Sequence, residues 1–350
     1  MRLDINKRLY DLAIRQAIYV DRVKAAQFLE FNNVMNDLNV ELSKILFRTK
    51  YKTLDALTKS ELGVLIASLR NSQSKIYNNY VTKIIAQLEQ FMKDSLYLNQ
   101  ISISSILNGS ELSKEGSIRY IIENQQKDNS FLFGLSSVTG NDDLLWSKIK
   151  NQPIPANGNL PEALILGFTA AASASVERLI QIGYANRYTF QETFDLAFSK
   201  DNPSGGIELS KILINQNNSV IDTVFGDVHS LVYGGVASVL FSAYVWHSIM
   251  DSRTSDVCRS RNDNVYRFGK GPLPPAHYRC RSVIAAIYGA FNGDMLPDSL
   301  YDWAMSQPED VMNDLFTSSE LESLKTTGKF NVTNGLNLQQ YRDKISTLLK

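Results

Sequence analysis

Two cysteines and three histidines are all that this 350-residue chain offers for thiol or imidazole chemistry. So few thiols exclude the dense disulfide framework that staples small secreted domains. Charge of one sign is lacking as well, because Lys plus Arg and Asp plus Glu both number 36 and the formal net charge is zero. Proteins that coat nucleic acid draw most of their non-specific affinity from phosphate neutralisation and carry a basic excess. Nothing global therefore points to DNA coating, and any DNA contact is expected from a local basic patch. No secretory leader pattern is present, since Arg2, Asp4, Lys7 and Arg8 precede any apolar block. With the low cysteine count, this gives the expectation of a chain made in a reducing cytoplasm. From Val228 to Met250 the chain lacks Asp, Glu, Lys and Arg, which on length alone suits a bilayer span. That stretch also carries His229, Ser230, Tyr233, Gly234, Gly235 and His247. So polar a run reads as a buried core helix rather than a membrane segment.

What is present is ample material for a core, 44% apolar and 21% charged, with a mainly α pattern. Leu9, Leu12, Ala13, Val20, Val23, Phe31, Val34, Leu38, Leu42 and Leu46 recur at helical steps. After a polar pause around Lys50–Thr53, Thr58-Lys-Ser-Glu61 has the form of a capping box. It opens a second long helix to about Leu96 along Leu65, Leu69, Ile76, Tyr80, Ile84, Leu88 and Phe91. Residues 1–100 are thus expected to form an N-terminal helical hairpin, more suited to a core or an oligomer interface than to catalysis. Pro153, Pro155, Gly158 and Pro161 punctuate an irregular connector over 101–160. Residues 161–350 form a further helical domain. In it Pro161 suits a first helical turn, and the small-residue run Ala170–Ser175 suits a tightly packed core helix. Thr189-Phe-Gln-Glu192 is a second capping box, and helix is expected from Glu208 to Met250.

The distinctive chemistry lies between Trp246 and Ser282, where polar, Gly- and Pro-containing residues replace the helical pattern and predict a looped module, with a short β-hairpin around Val265–Phe268. Both cysteines are here. His277 and Cys280 are spaced H-x2-C, so both can reach one ion from a tight turn, and Cys258 arrives from 19 residues before His277. Structural zinc takes four thiolate or imidazole ligands, and the sequence offers three plainly, with Asp251, Asp256, Asp263 or His247 as sources of a fourth. Zinc is the cofactor this set suggests. A metal-free packed loop and a Cys258–Cys280 disulfide remain open beside it. Asp251-Ser-Arg253-Thr254 suits a capped turn with the guanidinium on a carboxylate or carbonyl. No general base accompanies it, so no catalytic residue is assigned. Seven basic residues against three acidic ones between 251 and 281 make a local patch, with Arg259, Arg261, Arg267, Lys270 and Arg279 as candidate nucleic-acid contacts.

Taken in order, Trp246, Asp251-x-Arg253-Thr254, Cys258 and Pro274-Pro275-x-His277-x-x-Cys280-Arg281 resemble the signature of the phage Mu F-like minor head protein (phage head morphogenesis) family. The tail is similar as well, with Trp303 in a helix, then Gln307-Pro308, then Gly328-Lys-Phe330. Arg261-Asn-Asp-Asn264 departs from the family's glycine-containing turn. The resemblance implies a structural and assembly protein of the virion, at the portal vertex or capsid interior, present in several copies. It implies portal and major capsid proteins as partners, packaged DNA as a further contact, and roles for Trp246, Asp251, Arg253, Thr254, Pro275 and Arg281 in holding the motif. Two other functions compete, an ejected protein that engages DNA or host membrane, and a head-associated enzyme.

Overall fold

The computed structural model describes residues 2–48, 53–107, 142–199, 208–250, 253–289, 297 and 299–348. Among them are eleven α-helices and one three-stranded sheet. The helices are α1 (Arg2–Phe47), α2 (Lys59–Leu107), α3 (Asp142–Lys150), α4 (Pro161–Ala185), α5 (Phe190–Phe198) and α6 (Leu209–Leu240), followed by strand β1 (Ala243–His247). Then come α7 (Asp256–Arg261), β2 (Val265–Arg267), β3 (Val283–Ile287), α8 (Leu300–Met305), α9 (Glu309–Leu315), α10 (Ser318–Thr327) and α11 (Leu338–Leu348).

The chain divides into two compact units. The first holds Met1–Ala26, Gln87–Pro161 and Asp222–Lys350; the second holds Gln27–Ala86 and Glu162–Ile221. In the first unit, Leu9, Tyr10, Ala13, Tyr19, Val20 and Val23 of α1 are buried at the three- and four-residue steps of one helix face. Arg8 donates to the Ile106 carbonyl at 3.3 Å, so the start of α1 lies beside the end of α2. In the second unit, the ring of Phe31 packs edge-on against Tyr80 and Phe168, each at 5.3 Å between centroids. Lys83 pairs with Glu30 there. Ser72 lies 3.4 Å from Glu41 in the same unit, so α1 and α2 run antiparallel within it. The second helix continues to Leu107, beyond the expected Leu96.

Both capping boxes form. The Glu61 N–H meets Thr58 Oγ1 at 3.2 Å, and the Thr58 N–H meets Glu61 Oε2 at 2.9 Å. Thr189 and Glu192 do the same at the start of α5. The run Ala170–Ser175 behaves otherwise than expected. Only Ala172 is buried, while Ala170, Ala171 and Ala174 face outward with Ala163, Leu166 and Gly167. Successive helical residues turn by about 100°, so an unbroken small-residue run cannot all face a core.

The expected helix from Glu208 to Met250 ends at Leu240, and Ala-Tyr-Val-Trp-His becomes β1. Aromatic and β-branched residues suit a pleated surface. Here β1 is the central strand of the order β2-β1-β3, antiparallel to both neighbours. Its register sets Trp246 opposite Ile284 and Tyr244 opposite Tyr266 and Ala286. The expected hairpin at Val265–Phe268 is instead this edge strand. Helices α4 and α6 are long and apolar enough to cross a membrane by length and composition, and most of the apolar window of α6 is buried inside the fold.

Candidate metal centre

The site hangs from β1. Trp246 is completely buried, and its indole N–H donates to Ser248 Oγ at 2.9 Å. The Ser248 hydroxyl donates in turn to the Cys258 carbonyl at 2.9 Å and lies 2.9 Å from Ser282 Oγ. The tryptophan of the motif thus positions the backbone of the first cysteine through one serine. Ser255 caps α7 and accepts from the Cys258 N–H at 3.3 Å, so Cys258 sits in the first turn of a short helix. Neither Ser248 nor Ser282 stands out in the sequence, because isolated serines carry no periodic or spacing signal.

His277 and Cys280 come from the tight turn after Pro274-Pro275, a cis peptide, and the Cys280 N–H donates to the His277 carbonyl at 3.2 Å. His277 Nδ1 lies 2.7 Å from the Tyr278 carbonyl. A carbonyl only accepts, so Nδ1 carries the proton and Nε2 presents a lone pair. That lone pair lies 3.1 Å from Cys258 Sγ, and the two sulfurs are 3.6 Å apart. All three donor atoms lie within 4.8 Å of one another, and the cluster could hold a metal ion. Two thiolates on one tetrahedral zinc at about 2.3 Å would be about 3.8 Å apart, so the donor set fits. Both cysteines are free and buried.

The two thiols are coupled: contact with Cys258 holds the Cys280 thiol below the usual range, while contact with Cys280 and then burial push Cys258 up. Backbone N–H groups of Ala276 and Ser282 also favour a Cys280 thiolate. Such N–H···S contacts belong with metal-ligating cysteines, whose anionic sulfur has to be stabilised.

The other predicted residues are distributed differently. His247 turns away from the cluster, with Nε2 hydrogen-bonded to Tyr10 OH at 2.8 Å and Nδ1 3.5 Å from Asp263. Asp256 and Asp263 are exposed and outside the donor group. Asp251 lies outside the described residues. Arg253 donates to Asn331 Oδ1 at 2.9 Å and to the Phe330 carbonyl at 3.3 Å, which ties the D-x-R-T piece to the G-K-F step of the tail. The Thr254 hydroxyl donates to the Ile249 carbonyl. Pro275 is buried and Arg281 half-buried. Of the basic candidates, Arg259, Arg267, Lys270 and Arg279 are exposed, whereas Arg261 lies over the Trp246 ring at 5.1 Å and is half-buried.

Sequence reasoning did not find Lys24, which is buried, and Asp222, which is half-buried, near this site. Lys24 Nζ lies 3.0 Å from Asp21 Oδ1. Burial opposes its charge, but Asp21 and Asp222 outweigh it and raise the pKa, with a smaller contribution from Cys280. Burial pushes Asp222 up to about 6, partly offset by Lys24.

Compared with known proteins, the chain matches no family model, no curated protein and no solved structure.

Proposed function

We propose that this chain is a structural, non-enzymatic head-morphogenesis protein of the Mu F-like kind, with Cys258, His277 and Cys280 holding a structural zinc ion. The observation that carries this reading is the convergence of the motif's pieces. Trp246, Cys258 and the His277/Cys280 pair are separated by 12 and 19 residues, and one hydrogen-bonded knuckle contains them. Zinc is the metal that best suits two thiolates and an imidazole, and it supplies folding energy rather than redox chemistry. The knuckle would then anchor the tail through Arg253.

An assembly role also needs a surface for partners. The second unit exposes Leu29, Val40, Val64 and Leu166, and α4 shows solvent a face without charge from Ala163 to Ala174. A portal or capsid subunit docking there would bury these side chains.

The test has two readouts. Wild-type protein should carry one zinc per chain, and Cys280→Ser should lose both the metal and thermal stability, as should wild type treated with chelator. Leu166→Glu should fold normally but enter phage heads poorly. Metal-free wild-type protein would sink the zinc reading, and absence of the chain from heads would sink the assembly role.

A further inference from the structure

An open cleft of about 620 Å³ lies in the first unit, where α1 meets the tail helices α9 and α11. Ligand sites span roughly 300–1,000 Å³, so the cleft has room for an occupant. Part of its lining is apolar. Leu315 there is buried, whereas Val311 and Leu336 are only half-buried and leave apolar surface for an incoming side chain to cover. Its charges are unbalanced. Three carboxylates, Asp310, Asp314 and Asp343, line it against Arg15 and Lys344. Lys344 pairs with Asp314, and Arg15 is held by Asp11 at 2.9 Å and by Gln307 at 3.1 Å. Both cations of the lining are thus engaged within the fold. Asp310 and Asp343 are exposed, and neither has an ion-pair partner among the described residues. Helix stability accounts for one of them and not the other. Asp310 stands in the first turn of α9, where the helix dipole favours an anion. Asp343 sits in the middle of α11, where aspartate is a poor helix former and no helix end is near.

We propose that this cleft docks a short basic segment of another protein, in which Lys or Arg flanks an apolar anchor. The anchor covers Val311 and Leu336, and the cations answer Asp310 on α9 and Asp343 on α11. An acidic segment would meet like charges there, and an uncharged one would leave both carboxylates without a counter-charge. A bare polycation would satisfy the carboxylates but leave the apolar lining uncovered. The two helices that supply the carboxylates are already joined by the Lys344–Asp314 pair. The cleft is therefore formed before a partner arrives, which lowers the cost of docking. It contains no residue of the Cys/His cluster, so docking there does not depend on the metal.

The experiment titrates full-length protein into a short fluorescent peptide that alternates leucine with lysine, read by anisotropy. Companion peptides carry glutamate in place of lysine, or serine in place of leucine. The leucine–lysine peptide should bind saturably, and both companions should bind markedly more weakly. Asp310→Asn combined with Asp343→Asn should weaken binding by about tenfold or more, the loss of two charge-assisted contacts. Asp142→Asn with Asp143→Asn, the same change of charge on α3, should leave binding as it was. If the first double variant melts below wild type, Asp343→Asn alone carries the comparison. No saturable binding of the leucine–lysine peptide would overturn the inference. Equal weakening by the α3 variant would do so as well, since net charge would then explain the binding. A serine–lysine peptide that binds as tightly, or spermidine that displaces the peptide at matched concentration, would show that a bare polycation suffices and would also overturn it. Wild-type protein that sediments as a dimer, with the dimer lost in Asp310→Asn/Asp343→Asn, would make a second copy the occupant and overturn the basic-segment partner.

Discussion

Asp227 of α6 is completely buried, and neither carboxylate oxygen has a hydrogen-bond partner among the described residues. Burial alone raises its pKa well above the usual carboxylate value. The group is then neutral in the fold but ionises in the unfolded chain above about pH 4. Unfolding therefore releases a proton, and stability falls by about 1.4 kcal/mol per pH unit from pH 4 up to the folded pKa. Asp227→Asn removes this dependence. The variant should be more stable than wild type at pH 8, with the advantage shrinking toward pH 4, as read from urea unfolding at several pH values. An advantage independent of pH would show that the carboxyl is not held neutral. Its neighbour in sequence, His229, is driven down to about 3 by burial and then by Lys24, so it stays uncharged. None of these states was legible in the sequence, which prints a charge but not its surroundings. The cysteines and His277 were legible, because their order and spacing are the chemistry.

At the scale of elements, the capping boxes at Thr58 and Thr189 could be read directly, since their hydrogen bonds join residues three apart. Strand β1 could not. Its apolar run continues that of α6 without a break, and periodicity alone does not separate a short buried strand from a buried helix. Only pairing with residues 265–267 and 283–287 decides it. The glycines of α4 illustrate the same limit. A Cβ on Gly183 would lie 2.3 Å from Thr193 Oγ1 and 2.6 Å from Leu54 Cδ1, both on buried side chains. One on Gly167 would meet nothing within 4 Å. Gly183→Ala should therefore lose about 1–3 kcal/mol to overpacking, against a propensity gain of about 1 kcal/mol at most. Gly167→Ala should gain about 0.5–1 kcal/mol. Equal melting shifts for the two would contradict the close approach of α4, α5 and the Leu54–Ala56 turn.

The first unit as a whole is closed by the tail. Trp303 Nε1 donates to Asp11 at 2.8 Å, the Tyr19 hydroxyl to Asp314 at 2.8 Å, and the Leu336 N–H to the Arg22 carbonyl at 3.0 Å. At the centre, Arg22 pairs with Glu320 at 2.6 Å with both side chains buried, and it also reaches the carbonyls of Leu315 and Asn334. Burial raises the Glu320 carboxyl, but Arg22 and the backbone N–H groups of Thr333 and Thr317 overcome it and hold the pKa at about 2. A depressed carboxylate contributes stability that is complete above its unfolded pKa of about 4.3 and is lost as pH falls from there toward 2. Glu320→Gln leaves Arg22 buried without a counter-ion, which should cost about 3–5 kcal/mol at pH 7. The gap from wild type should narrow steadily below pH 4, where the native carboxyl also takes up its proton. Replacing both partners with apolar residues, Arg22→Met with Glu320→Leu, should recover much of the loss, because no lone buried charge remains. Urea unfolding of the three proteins at pH 7 and pH 3 measures both effects. A constant Glu320→Gln deficit across that range would mean that Glu320 acts through its shape and its caps on α10, rather than as the charge that binds the tail to α1.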